Sequence, residues 1–508
     1  MPALNPVREA LTSGRFCYMV ELVASALTRE AKLMHVASEL AQIPNVVAGS
    51  ITSYAGGAMG HDPIRVGTAA RARGLVPNIH LTCVNRDPLD VRDALDDLIA
   101  LGIENVFAIT GDYPKGSAPE TVQFAADSVQ LVETISEVRA ARGWPFYISA
   151  AVSPFKYTEA DCAYQYLKLE KKIAAGADYA ITQLGFDSRK FRELKRYLDE
   201  RGLKTPVFGN VYILPPKAAE KMSKGEPPGC WVSPELLAKI QVEAKAADKG
   251  MAARLERAAQ MVAIVRGLGF AGAYIGGNHQ AENIRWIIRR SEALAPRWEE
   301  LAEEMSYGAK GGFYFFDSPP PPPRPREVTQ KLFDVIEPAN TPAPLRSVLT
   351  GILRWIDNRP AAAHALEKAE LAFKKPVFGC QACGNCVLGL MEYVCPMTCP
   401  KNMRNGPCGG TFNGQCEVIP EQACIWVEVY QRAKSADRVE ELKTYIPPRN
   451  RALQGTSSYI NYFLDRDSRP GHEQPLITIA NATPPNDATK PPEPRESEES
   501  LVKTHHAK

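Results

Sequence analysis

The sequence predicts an α/β protein: a (β/α)8 TIM barrel followed by a small cysteine-rich metal or iron-sulfur domain. Three observations predict it. Eight short β-branched or aromatic runs recur before residue 280, each is followed by a polar stretch of helical period, and eight of the 12 cysteines crowd between Cys380 and Cys424. Strands that alternate with helices pair in parallel, and eight such units in roughly 300 residues match the size of a (β/α)8 barrel. An open doubly wound sheet is the alternative, weakened because no Gly-x-Gly-x-x-Gly follows the first strand.

In chain order the strand runs are FCYMVEL at 16–22, NVVAGSIT at 45–52, VPNIHLT at 76–82, NVFAIT at 105–110, FYISAAV at 146–152, YAITQ at 179–183, PVFGNVYIL at 206–214 and AGAYIG at 271–276. The intervening helices carry stop signals: DPLDVRDALDDLIALG ends at Gly102, YLKLEKKIAAG at Gly176, and SRKFRELKRYLDERG opens on Ser188 as its cap and ends at Gly202. The barrel domain is assigned to residues 1–317 and the polyproline run at 318–326 to an extended linker. The cysteine-rich domain is assigned to 327–447, with short helices at LRSVLTGILRWIDN and AAAHALEKAELAF and a closing helix CIWVEVYQRAKSADRVEELKTY. Residues 448–508 form an extension whose Pro- and Ser-rich end, from Thr483, predicts a disordered tail.

Charge and composition exclude several classes. Sixty Lys and Arg against 58 Asp and Glu leave a formal charge of +2, which gives no electrostatic footprint for nucleic acid or an anionic membrane. With 45% hydrophobic and 23% charged residues the chain can bury a core and is not disordered as a whole. No window supplies the roughly 18 uncharged apolar residues of a membrane span, and the N-terminal stretch lacks the apolar core of a signal peptide, so a cytoplasmic protein is expected.

Catalytic groups of such barrels sit where strands finish. Polar residues fall there at Glu21, Thr52 and Ser53, His80 and Thr82, Thr110 and Asp112, and Gln183. Glu21 lies inside an apolar run, where a carboxylate needs a partner or a task. His80 is read equally well as a satisfied structural histidine. Thr110-Gly111-Asp112, directly after a strand, is a tight turn able to approach a flat or phosphorylated cofactor, or a plain Asp-containing turn.

HLTC at 80–83, GIENVFAITGD at 102–112 and KLEKKIAAGADYAITQLGFD at 168–187 closely resemble the flavin-dependent methylenetetrahydrofolate reductases, whose catalytic domain is a (β/α)8 barrel. The resemblance implies reduction of 5,10-methylenetetrahydrofolate to 5-methyltetrahydrofolate in one-carbon and methionine metabolism. It implies FAD, or alternatively FMN, a tetrahydrofolate substrate, and NAD(P)H or ferredoxin as donor, with homo-oligomerisation open. On it, Glu21 is the general acid that opens the methylene bridge, Asp112 contacts the pterin near the flavin, and Gln183 binds the pterin and meets the nicotinamide. Ser53, His80, Thr110, Gly111, Asp112, Ala125 and Lys172 fall where the family contacts its flavin, and Asn278 where it reaches the folate. Val152, Lys156, Gln165 and Lys168 depart from the commoner bacterial pattern, which has an aromatic residue, a histidine, an aspartate and an asparagine against the flavin; His279 stands where an arginine is usual. Oxidation of a methyl-folate in catabolism, or a non-catalytic electron-transfer or scaffold subunit, are the alternatives.

The cysteines run Cys380-x2-Cys383-x2-Cys386-x8-Cys395-x3-Cys399-x8-Cys408-x7-Cys416-x7-Cys424, with prolines after Cys395 and Cys399. Clustering in a reducing compartment points to metal and not to disulfides. Eight thiolates can hold two four-iron clusters, or one cluster and one tetrahedral zinc, and a structural zinc ribbon is the bland reading. CPMTCPKNMRNGPCGGTFNGQCEV is similar to the cysteine-rich C-terminal domain of acetogen-type methylenetetrahydrofolate reductases, which implies 4Fe-4S, zinc or both.

Overall fold

The computed structural model describes residues 5–25, 28–53, 60–117, 121–277, 280–470 and 476. The tail from Thr483 lies outside them, as do Asn278 and His279. Strands β1 (Cys17–Leu22), β2 (Val46–Ile51), β3 (Pro77–Thr82), β4 (Asn105–Ile109), β5 (Tyr147–Val152), β6 (Tyr179–Thr182), β7 (Val207–Tyr212) and β8 (Gly272–Gly276) close into one parallel barrel in sequence order. β8 returns to β1 with Cys17 opposite Gly272.

Side-chain alternation along β1 decides what faces the barrel axis. Tyr18, Val20 and Leu22 pack outward into the large core beneath the helices, whereas Cys17 and Met19 join an inner cluster with Phe107, Tyr147, Tyr179, Phe208 and Tyr274. The same period carries Glu21 inward at the carboxyl end, opposite Ser50 of β2. The helix Pro6–Thr12 contributes Val7 and Ala10 to this inner cluster. Helix ends follow local chemistry: Asp87 caps Pro88–Ala100 through a capping box, and Asp127 does so for Ser128–Arg142. The cap expected at Ser188 is Asp187, which accepts from Arg189 N, while the Ser188 hydroxyl turns inward to the Ala302 carbonyl at 2.5 Å.

Residues 319–327 have no regular structure. Beyond them the helix over AAAHALEKAELAF is longer than expected, Pro360–Phe378, and the closing helix is shorter. It ends at Ser435, because Asp437 adopts a left-handed φ of 56° and only a 3-10 turn follows over Val439–Lys443. The cysteine-rich region does not hang free. Its Met403, Trp426, Val429 and Tyr430 pack with Ala160, Ala163, Tyr164 and Leu167 of the barrel helix Glu159–Ala174. Each buried aliphatic side chain there contributes about 1.5–3 kcal/mol. No helix among the described residues is long and apolar enough to cross a membrane.

The join is directional as well as apolar. Asp127, 1% exposed, caps its own helix through Oδ1, which accepts from Val129 N at 2.9 Å. Its Oδ2 accepts from Arg404 N at 3.1 Å, Asn405 N at 2.9 Å and Asn405 Nδ2 at 3.1 Å. Burial alone would push this carboxyl up, but the nearby Lys168 cation and these N–H donors outweigh it and hold the group ionised. Asp127→Ala is expected to cost about 3–5 kcal/mol, the range for breaking a buried charge network, and to open residues 400–410 to protease. An unchanged urea midpoint with unchanged cleavage would show that the apolar contacts alone hold the two parts together.

Candidate active site

The carboxyl ends of the strands open into a cavity of about 450 Å³, well inside the range of roughly 300–1,000 Å³ that holds small ligands and cofactors. Glu21, Ser53, His80, Thr110, Gly111, Asp112, Lys172 and Gln183 all line it. Ala125 does not, and Asn278 lies outside the described residues. Ser153, Asn210, Tyr212 and Tyr274 line it too and were missed from sequence. The strand-end rule reaches Ser153, which directly follows β5, and Tyr212, which closes β7; Asn210 and Tyr274 lie within their strands and carry no local signal.

Glu21 is the group whose chemistry the cavity changes most. Loss of water around it pushes its carboxyl up to about 7, and a hydrogen bond from the Gly277 N–H offsets only part of that rise. The neutral acid is therefore well populated near neutral pH. Gly276 leaves the carboxyl its room, since a Cβ there would stand 2.8 Å from Glu21 Oε2 and displace it. His80 shows the converse of the same effect. Buried, edge-on to Phe107 and 2.9 Å from Ser50 Oγ through Nε2, its imidazole is pushed down to about 3 and stays neutral. Lys172 is held by the Ala151 carbonyl at 2.6 Å, and burial with the neighbouring Lys168 lowers its ammonium to about 7. Gln183 turns its Oε1 to Leu184 N at 2.9 Å, which aims the amide group along the wall.

The opposite wall comes from the cysteine-rich region. Lys401, Pro407, Cys408, Gly409, Gly410 and Glu417 border the same cavity. Their segment is held by the positions that depart from the commoner bacterial pattern. Lys168 Nζ donates to the carbonyls of Gly406 at 3.1 Å and Pro407 at 2.9 Å, Gln165 Nε2 to Cys408 O at 3.0 Å, and Lys156 Nζ to Gly409 O at 2.8 Å and also to Thr411 O. Val152 lines the cavity, whereas Lys156 is wholly buried behind it.

Two buried polar atoms on the cavity wall, Ser153 Oγ and Asn210 Oδ1, have no protein partner. Orphaned polar atoms at a concave site fit a polar, planar ligand that would complete their hydrogen bonds. The thiols behave differently. Cys380, Cys383, Cys386 and Cys395 line one small cavity with Lys374, whose Nζ lies 3.6 Å from Cys386 Sγ. Yet among the described residues no group of three or more His, Cys, Asp or Glu side chains could hold a metal ion. The eight cysteines expected as ligands, Cys380, Cys383, Cys386, Cys395, Cys399, Cys408, Cys416 and Cys424, are divided between surroundings of different kinds. Cys395 and Cys424 pack into apolar clusters, where burial pushes both thiols up to about 12, and Cys383 Sγ leans on the Asn385 carbonyl at 3.7 Å.

Comparison with known proteins agrees with this architecture. The 5,10-methylenetetrahydrofolate reductase of Escherichia coli is 31% identical over 140 residues, 27% of this chain and 44% of that protein. A probable NADH-type methylenetetrahydrofolate reductase of Oryza sativa is 31% identical over 147 residues, 26% of this chain and 24% of its own. A probable NADPH-type enzyme of Caenorhabditis elegans is 28% identical over 166 residues, 30% of this chain and 24% of its own. The match thus spans less than half the length of each relative. Among solved structures, a Clostridium thermocellum protein described as binding two copies of 5-methyl-5,6,7,8-tetrahydrofolic acid covers 57% of this chain and 99% of its own at 10% identity and a TM-score of 0.40, a likeness on which nothing here rests. The model of the methylenetetrahydrofolate reductase C-terminal region matches residues 360–452. Because the methylenetetrahydrofolate reductase model itself matches residues 7–267, more than half of the chain, the protein belongs to the methylenetetrahydrofolate reductase family.

Proposed function

We propose that the barrel mouth reduces 5,10-methylenetetrahydrofolate to 5-methyltetrahydrofolate with a bound flavin. The observation that carries this reading is Glu21, a carboxyl raised to about 7 that shares one cavity with the Thr110-Gly111-Asp112 turn and Gln183. A general acid works best with a pKa near the operating pH, and burial has put Glu21 there. It gives its proton to a nitrogen of the methylene bridge as the bridge opens, while Asp112 and Gln183 hold the pterin. Ser53, His80, Thr110, Gly111 and Lys172 would hold the flavin, joined by the orphaned Ser153 and Asn210. When bound, the flavin supplies the hydride that converts the opened methylene to a methyl group. Neutral His80 offers a hydrogen bond without adding charge, and Lys172 offers a cation wherever an anionic group meets it.

FMN is the better fit than FAD. The resemblance places positions 156, 165 and 168 against the flavin, but here all three spend their donors on carbonyls of residues 406–411. A chain segment that engages these three positions competes with a cofactor for them, which favours the shorter FMN. NAD(P)H or ferredoxin is the proposed electron donor, and methionine metabolism the proposed context. The thiol-rich donor set has the softness that suits iron or zinc, and metal binding commonly draws its own ligands together. We therefore keep 4Fe-4S, zinc or both as the proposed occupants, with no step of the reaction routed through them.

Four outcomes test this. Purified protein should be yellow, and heat-released cofactor should run as FMN on chromatography; stoichiometric FAD would reverse the argument from residues 406–411, and a protein that binds neither flavin would overturn the activity. Glu21→Gln should slow flavin reoxidation by methylenetetrahydrofolate by roughly 10²–10⁴-fold with donor-driven flavin reduction nearly unchanged. In the unaltered protein the folate step should fall as pH rises through about 7, because deprotonation removes the acid. Equal slowing of both halves would make Glu21 structural. Anaerobic preparation with metal analysis should give iron or zinc bound to the cysteine-rich region; eight titratable thiols with no metal would leave them as packing residues.

A further inference from the structure

Asp112 is placed by residues almost three hundred positions away. The Thr110-Gly111-Asp112 turn has no regular structure of its own. Gly111 adopts a φ of +90°, and a Cβ there would stand 2.9 Å from Val84 Cγ1, so the turn lies tight against the barrel rim. Lys401, 2% exposed, donates from Nζ to the Gly111 carbonyl at 3.0 Å. The same ammonium pairs with Glu417 Oε1, both side chains being almost completely buried. Glu417 Oε1 in turn accepts from Tyr113 N at 3.4 Å. One ion pair therefore grips the peptide groups on both sides of Asp112, the carbonyl before it and the N–H after it.

We propose that Lys401 and Glu417 are a positioning pair for the folate step: a strap from the cysteine-rich region that fixes the Asp112 carboxylate at the cavity. The placement is specific. Lys401 follows Cys399 by two residues and Glu417 follows Cys416 directly, so the strap is hung from two points of the thiol-bearing chain. The Lys401 ammonium also stands 5.6 Å from the centre of the Phe124 ring, which closes it off from water on that side. A cation with so few alternatives keeps its partners, and the turn it holds keeps one conformation. On this account the second region is part of the active site and not an appendage to it. The inference rests on reading the mouth as the folate site, so its test has one arm that does not.

The test compares the full-length protein with the double variant Lys401→Met/Glu417→Gln, which removes both charges and leaves none buried alone. Hydrogen exchange by mass spectrometry, without folate, reads the strap itself. The peptide covering residues 107–117 should lose its protection in the variant while peptides of β1 and β5 keep theirs. In the reconstituted flavoprotein, flavin reoxidation by methylenetetrahydrofolate should slow by roughly 10- to 100-fold, the cost of a misplaced reacting or binding group, and by more than donor-driven flavin reduction slows. Unchanged exchange at 107–117 would show that the pair does not hold the turn, and raised exchange with an unchanged folate step would show that the turn needs no holding. If the double variant does not fold, Glu417→Gln, which keeps an acceptor for Tyr113 N–H and Lys401, should give the same two changes at smaller size, and their absence would overturn the proposal. Failure of the unaltered protein to turn over folate would count against the reductase reading alone, since the exchange arm is read without it.

Discussion

The Asp127 carboxylate is the point through which the two parts of the chain share one structure. It is buried, so it can stay ionised only if its surroundings replace the lost water, and they do so from both sides. Lys168 supplies the nearby charge from the barrel, and the backbone N–H groups of Arg404 and Asn405 supply hydrogen bonds from the cysteine-rich region. Remove either set and a desolvated anion remains, which costs far more than the net worth of any one bond. Asn405 extends the join by accepting from Ile446 N at 2.8 Å, and Gln130 Nε2 meets the Ile446 carbonyl at 2.9 Å. The segment that follows Asn405 is thereby delivered to the barrel mouth in one register.

That delivery sets the electrostatics of the cavity. With residues 406–411 over one side of the mouth, Glu21, His80 and Lys172 lie deep in the cavity wall, and burial pushes each of the three toward its neutral form. The Glu21 carboxyl rises, while the His80 imidazole and the Lys172 ammonium fall. A shift in these three directions from one cause is what a closed, low-dielectric mouth produces. Lys401 and Glu417 escape neutralisation because they face each other: the pair, and not either group alone, is compatible with that depth.

The barrel was legible because its signal is local and repeated. The six-residue strand Cys17–Leu22 sets Cys17, Met19 and Glu21 inward against Tyr18, Val20 and Leu22 outward, and its apolar run, repeated eight times with helices between, is what the sequence displays. Errors arose where a local signal had competitors. Asp187 and Ser188 are both good caps, and the carboxylate, which can accept several hydrogen bonds at once, took the role while the hydroxyl found Ala302. The helix after Cys424 breaks at Asp437, a residue that tolerates the left-handed region, although the apolar period runs on past it. Lys401 and Glu417 were not legible at all, since nothing in their neighbourhood says that they will meet a turn at residues 110–113. The cysteine spacing announces metal chemistry, but spacing fixes only which thiols can approach one another, not whether they stand as ligands without the ion.

The most economical account of the unusual residues in the mouth joins two facts that look separate in the sequence. Lys156 and Lys168 occupy positions where the commoner bacterial pattern has a histidine and an asparagine, and a cysteine-rich region follows the barrel. A fully buried lysine needs several acceptors, because desolvation lowers its ammonium and favours loss of the proton. Backbone carbonyls provide them: Gly409 and Thr411 for Lys156, Gly406 and Pro407 for Lys168. Neither lysine would be tolerable at that depth without residues 406–411, and residues 406–411 would bury unpaired carbonyls without the lysines. The altered barrel positions and the added region are therefore one structural solution, in which each makes the other's burial affordable.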